Sequence, residues 1–419
     1  MRMLLQTITI AVVIVLLLVI LFVSQHNRST HASLPYSIVT TFNGDASEAR
    51  SFAWTTDDPE AASVLQLVPG TDAAKLDTND VISFQGRTEL LNIGDDKLGT
   101  HKAEAVGLTP DTTYTYRVGS GDAKGWSAPM TFTTAAADET ENSSENQSSS
   151  FTFLNLADSQ GVTEQDFKLW GDTLNKAFEL YPDSRFVIHN GDFTENADDA
   201  DGWRYLFEQA MPWAASIPLM PVVGNNDVLK KEGSTPLTAR FDLPDNGANG
   251  VSGNYSFDYG TVHVAVLNTE EEISAQTKWL DADLAATKQP WLIVAIHRPL
   301  YGGSTYKKIK DWAEVIDRYK VDLVLQGHNH EYSRSFPLRD GKVTGSADQA
   351  VTNHSGTVYV VTNTAGPKFN EKKEDQFYHA VHFQNNKQMF AAITVEGDSL
   401  TYTAYTSDGE QVDSFTVEH

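Results

Sequence analysis

Cysteine is absent from all 419 residues. Disulfides, thiolate zinc sites, iron–sulfur clusters and cysteine nucleophiles are thereby excluded. Any metal must be held by His, Asp, Glu, Asn or Gln, a donor set that suits iron, manganese, zinc or magnesium. Basic residues are scarce as well: 31 Lys and Arg stand against 56 Asp and Glu, for a net charge of −25. That balance argues against nucleic-acid binding, because a phosphate backbone would be repelled and no counterion release gained. Its ordinary meaning is a well-hydrated surface. Long hydrophobic runs are missing too, with one exception. Residues 10–23 are apolar throughout, and Met3, Leu4, Leu5 and Ile8 extend the stretch to the ~20 residues that a membrane span requires. Residues 1–33 therefore read as an N-terminal anchor, a transmembrane helix that tethers the chain to the cell membrane as a single-pass protein with its domains outside. The alternative is a signal segment cleaved near Thr30-His31-Ala32, which would release a secreted protein.

What is present is a globular composition, 40% hydrophobic and 10% aromatic, at a length that calls for two or more folded units. Residues 34–135 read as short strands with turn signals between them, at 36–42, 51–55, 63–68 and 81–85, and no good helix. The segment Leu108-Thr-Pro110-Asp-Thr-Thr-Tyr114-Thr-Tyr116-Arg-Val118 has the form of a tyrosine corner, in which a Tyr hydroxyl bonds back to the preceding turn. Residues 120–125 make a hairpin loop that leads to Trp126 and a last strand at 130–133. The expectation is an all-β, fibronectin type III-like sandwich with Trp54 in its core. Residues 136–150 are acidic, rich in Ser and Asn, and read as a disordered linker carrying two glycosylation sequons at Asn142 and Asn146.

From residue 151 to 419 the pattern changes to strands alternating with helices, which indicates α/β layers. Strand-length apolar runs fall at 151–156, 186–188, 219–223, 262–267, 291–296 and 323–325. Phe167, Trp170, Leu174, Ala177, Phe178 and Tyr181 recur at helical spacing, and further helices are expected near 203–215, 275–286 and 307–319. Five strands end in metal-competent side chains: Asp158-Ser-Gln160, Gly191-Asp192, Gly224-Asn225-Asn226-Asp227, His297, and Gly327-His328-Asn329-His330. In α/β sheets, functional groups collect beyond the carboxyl ends of strands. Each piece alone is ordinary; a Gly-Asp dipeptide is usually a turn, and a lone His after a strand is usually a satisfied core residue. All five together can enclose a pair of metal ions, with Asp192 placed to bridge them and three glycines giving the backbone room. His189 reads as a core or supporting histidine, and His263, His354, His379 and His382 carry no specific assignment.

Ala295-Ile-His297-Arg-Pro-Leu-Tyr301 and Gly327-His-Asn-His330-Glu-Tyr332-Ser-Arg334 resemble the calcineurin-like metallophosphoesterase superfamily, and within it the purple-acid-phosphatase-related branch. The preceding sandwich, with its 108–118 segment and Trp126-Ser127, resembles that branch as well. The resemblance implies a four-layer α/β/β/α sandwich of two mixed sheets. It also implies two divalent or trivalent ions (iron, manganese or zinc), with Asp158, Asp192 and His330 at the first, Gln160 beside it, and Asp192, Asn225, His297 and His328 at the second. Such a pair lowers the pKa of a bridging water and clamps phosphoryl oxygens during in-line attack. Arg298 is a candidate to steer phosphate, with a salt bridge on the rim as its alternative role. Three positions depart from the branch. Glu195 stands where purple members carry Tyr, so no tyrosinate–iron colour is expected. Gln160 stands where His is frequent, a weaker ligand. Asn226 replaces the catalytic His near the leaving group and can donate a hydrogen bond but no proton. The implied function is a cell-surface hydrolase of phosphomonoesters or phosphodiesters. The alternative is a degenerate surface binding module of the same fold. No protein partner is legible.

Overall fold

The computed structural model describes residues 33–94, 96–137 and 150–419. Residues 1–32 of the expected anchor, and residues 138–149 of the expected linker with both sequons, lie outside the described residues. Among the described residues no helix is long and apolar enough to cross a membrane.

The first domain is a β-sandwich of two four-stranded antiparallel sheets. One runs in the order Tyr36–Thr41, Ala49–Thr56, Asp96–Val106, Arg87–Ile93; the other Ile82–Gln85, Val64–Pro69, Thr113–Gly119, Met130–Thr133. Alternate residues of the facing strands, among them Phe52, Trp54, Leu65, Leu67, Tyr116 and Phe132, fill the space between the sheets. The tyrosine corner is present: the Tyr114 hydroxyl accepts the Thr109 amide N–H at 2.9 Å. The Arg87–Ile93/Asp96–Val106 hairpin was not foreseen. Its first strand is largely exposed and mixes Glu89, Leu90 and Asn92 without clean alternation. A short 3-10 turn, Ala73–Asp77, is capped by Asp72.

The second domain has four layers. Two seven-stranded mixed sheets pack face to face through Phe153, Ile188, Met220, Val264, Ile293, Leu325 and Tyr402. Helices Glu164–Leu180 and Ala200–Ala210 cover the outer face of the first sheet through Phe167, Trp170, Leu174, Trp203 and Phe207. Helices Ile273–Ala286 and Lys310–Tyr319 cover the second through Leu280, Trp312 and Ile316. Strand Phe151–Leu156 shows why its sequence is a continuous apolar run: Phe151 and Phe153 face the other sheet while Leu154 and Leu156 face the helices. The first helix starts at Thr163, which forms a capping box with Asp166. The single helix expected over 203–215 is instead two, Ala200–Ala210 and Trp213–Ser216. Pro212, which lacks an N–H and cannot continue an α-helix, divides them.

The sandwich is docked on the second domain. The Tyr116 hydroxyl donates to the Ala215 carbonyl at 2.5 Å, Lys102 Nζ to the Thr238 carbonyl at 3.0 Å, and Arg87 pairs with the buried Asp242 at 2.6 Å. Most important for the site is strand direction. Phe151–Leu156, Val187–His189 and Leu219–Pro221 are mutually parallel in one sheet, as are Trp291–Ala295 and Leu323–Gln326 in the other. Their carboxyl ends deliver every candidate ligand to one edge.

Candidate metal centre

The five strand ends converge on two carboxylates. Asp158 is 0% and Asp192 2% exposed. Ligand-capable atoms of Asp158, Asp192 and His330 lie within 4.8 Å of one another, and those of Asp192, His297 and His328 do the same. Asp192 is the only residue common to both groups. His330 Nε2 is 3.3 Å from Asp158 Oδ1, and His297 Nε2 is 3.3 Å from Asp192 Oδ1.

The backbone is bent to achieve this. Asp158, Asp192, His328 and His330 all have positive φ, at 56, 57, 72 and 50°. Such conformations cost about 1–3 kcal/mol each in a residue other than glycine and persist only where the surroundings over-determine them. Here they are over-determined. The Asp158 amide donates to the Gly191 carbonyl at 3.0 Å, and its carboxylate accepts the His328 amide at 2.9 and 3.0 Å. The Asp192 amide donates to Asp227 at 2.8 Å, and its Oδ1 accepts the Asn226 amide at 2.8 Å. Glycine supplies the clearance: a Cβ on Gly224 would overlap the amide and Oδ1 of Asp192.

Each histidine has its ring direction set. His297 Nδ1 donates to the Asn190 carbonyl at 2.7 Å and His330 Nδ1 to the Lys368 carbonyl at 3.0 Å, so both turn Nε2 toward the carboxylates. Burial would lower the His297 ring, but the Asp192 carboxylate raises it to about 10. Burial likewise pushes Asp192 up, yet His297 and the Asn226 amide bring it down to about 2. His328 is lowered to about 3 by burial, together with the charges of His297 and Arg298. His189 is also lowered to about 3 by its complete burial; it bonds Ser159 Oγ at 2.9 Å and stacks on Phe193, as a supporting residue should.

Asn225 places Oδ1 3.2 Å from His297 Nε2. Its Nδ2 donates to Asn226 Oδ1 at 2.9 Å, so Asn226 fixes which way the Asn225 amide faces. Gln160 directs Nε2 toward Asp192 Oδ2 at 3.3 Å, while its Oε1 is buried without a hydrogen-bond partner. Arg298 makes the salt bridge weighed for it. Glu270 grips it at 2.7 and 3.3 Å, its NH1 lies 3.2 Å from His328 Nε2, and its guanidinium covers the Tyr306 ring. Glu195 pairs with Lys368, the residue whose carbonyl holds His330.

Sequence reasoning missed three residues. Asp227 accepts amide N–H groups from Asp192, Phe193 and Gly224, all at 2.8 Å, and so pins two ligand loops together. Asn190 donates from Nδ2 to the carbonyls of Ile296 and Leu325, both at 2.9 Å, and clips one sheet to the other directly beneath the site. Glu270 orients Arg298. The signal for Asp227 and Asn190 was present, since each adjoins a ligand motif in sequence, but their function depends on backbone groups that only the fold brings near.

Residues 151–332 match the family described as calcineurin-like phosphoesterase, and residues 35–134 the purple acid phosphatase N-terminal domain. The chain carries both domains, in that order. It is similar to acid phosphatase type 7 of Homo sapiens, 28% identical over 307 residues, covering 64% of this chain and 65% of the relative. It is also similar to probable inactive purple acid phosphatase 1 of Arabidopsis thaliana, 29% identical over 359 residues, covering 76% of this chain and 57% of that one. The matches thus span somewhat over half the length of these relatives. The purple acid phosphatase from yellow lupin (Lupinus luteus) seeds superposes with a TM-score of 0.79 at 21% identity, over 92% of this chain and 74% of that one. That likeness speaks to the fold. The donor set fits the two ions the matched family implies: carboxylates, imidazoles and amide oxygens suit iron, manganese or zinc, and Gln160 Oε1 is a buried acceptor with no hydrogen-bond partner.

Metal uptake at such a site should be coupled to protons. With His297 raised to about 10 in the metal-free protein, a cation must displace a proton at any pH below that value. Apparent affinity should therefore increase by about tenfold per pH unit from pH 6 to 8. Titration calorimetry at three pH values checks this; an affinity that does not change with pH would contradict the assignment of His297 as a ligand.

Proposed function

We propose that this chain hydrolyses phosphate esters at a dinuclear metal centre bridged by Asp192. In this reading Asp158, Gln160, Asp192 and His330 hold one ion, and Asp192, Asn225, His297 and His328 the other. The observation that carries it is the sharing of Asp192, and of no other residue, between the two ligand groups. A pair of cations supplies Lewis acidity and a nucleophilic water at neutral pH. The protein's own groups orient and exclude. Arg298, immobilised by Glu270 beside His328, offers its guanidinium to a phosphoryl oxygen. Asn226 keeps the Asn225 amide oxygen turned into the site but has no proton to give a departing alkoxide.

The names of the human and mouse relatives, acid phosphatase type 7, support hydrolysis. The plant relatives named probable inactive purple acid phosphatase, together with Gln160 and Asn226, favour a second reading: a binding module that retains the ligands with little catalysis. Turnover separates the two readings. On the first, aryl monoesters and activated diesters are hydrolysed much faster than alkyl monoesters, because a good leaving group needs no proton. Asn226→His then narrows that gap, by up to the ~10²–10⁴ that a general acid contributes. Equal chemical rates on alkyl and aryl monoesters would refute the role given to Asn226. No turnover of any ester by the fully metallated protein would favour the binding module.

The same proposal places the domains outside the cell, tethered by residues 10–23, with a secreted form as the alternative. Amino-terminal sequencing of the membrane fraction decides between them. An intact start supports the tether, and a start near Ser33 supports secretion.

A further inference from the structure

A second group of metal-competent side chains lies at the far end of the strand that carries His328 and His330. Asp322 immediately precedes Leu323–Gln326. Its Oδ1 is 2.9 Å from His419 Nε2 and 3.2 Å from His354 Nδ1, and the three ligand atoms lie within 4.8 Å of one another. The two rings are 4.0 Å apart at 40°, which turns both nitrogens toward the same point. Asp322 is buried, and its other oxygen accepts the Leu292 amide at 2.9 Å, the kind of outer bond that fixes a ligating carboxylate. His419 is stacked on Trp291 with centroids 3.8 Å apart. His354 has φ 53° and follows Asn353 at φ 52°, a left-handed pair retained where the surroundings demand it. The Asp192 site combines the same three features: an imidazole nitrogen about one hydrogen bond from a buried carboxylate, a second imidazole beside it, and left-handed backbone under a ligand.

We propose that Asp322, His354 and His419 form a further metal site, distinct from the dinuclear centre, that takes zinc or a similar borderline transition cation. Two imidazoles and one carboxylate, with a fourth position open to water, are a donor set suited to zinc. The site joins separate parts of the fold. Asp322 belongs to the second sheet, His354 to the loop before Val358–Thr362, and His419 follows Gln411–Glu418 of the first sheet. The Asn353 amide, bonded to the Glu418 carbonyl at 3.0 Å, already brings loop and strand together. A cation there staples the two sheets at the end opposite the catalytic edge, and its role is structural.

The test uses the full chain, stripped with chelator, re-equilibrated with zinc and freed of loosely held metal. Elemental analysis should find one zinc per chain fewer in His354→Gln and in His419→Gln than in the natural protein, with ester turnover unchanged. The readout is a difference of one, so it does not depend on whether the dinuclear centre is filled. A second measurement needs no variant: zinc should protect His354 and His419 of the natural protein from diethyl pyrocarbonate, read residue by residue by mass spectrometry. Equal zinc content in variants and natural protein, or equal labelling with and without zinc, would overturn the proposal and leave the trio a hydrogen-bonded cluster.

Discussion

Two carboxylates, Asp158 and Asp192, are held almost wholly out of water within reach of the same imidazole, His330, and much of the second domain exists to keep them there. Burying like charges side by side is costly unless cations neutralise them. Part of that cost is met by the His297 ring against Asp192, and by amide N–H groups aimed at both carboxylates. What remains is an electrostatic demand that the two cations proposed for the site would satisfy.

The rest of the architecture follows from this demand. Parallel strands in both sheets send their carboxyl ends to one edge, and Asn190 locks the sheets together where they meet. Asp227 ties the Asp192 loop to the Gly224 loop. Left-handed backbone at four ligands is the local expense, about 1–3 kcal/mol at each, and the hydrogen bonds around them keep it from relaxing. The amino-terminal sandwich docks on this assembly through Tyr116, Lys102 and Arg87.

Much of this was legible in the sequence, for identifiable reasons. Each ligand motif lies directly beyond an apolar run of strand length, and Gly191, Gly224 and Gly327 mark sharp exits from those strands. The four-layer order followed from resemblance, and the helix over Glu164–Leu180 from its spacing of Phe167, Trp170 and Leu174. What stayed hidden has a common cause. Asn190 and Asp227 serve backbone groups distant in sequence, the Arg87–Val106 hairpin has one solvent-facing strand without alternation, and His354 and His419 lie 32 and 97 residues from Asp322 along the chain. No local pattern encodes such pairings. Asn226, by contrast, was read as a missing acid, and its contact with Asn225 adds a positioning role that the sequence could not display.

The bridging role proposed for Asp192 can be tested directly. Anomalous scattering from a crystal of the metal-loaded protein, collected at the absorption edge of the bound element, locates each ion without assumption about ligands. The account requires two peaks about 3.5–4 Å apart, on either side of the Asp192 carboxylate. One peak alone at this edge of the sheets, or two that do not share Asp192, would contradict it.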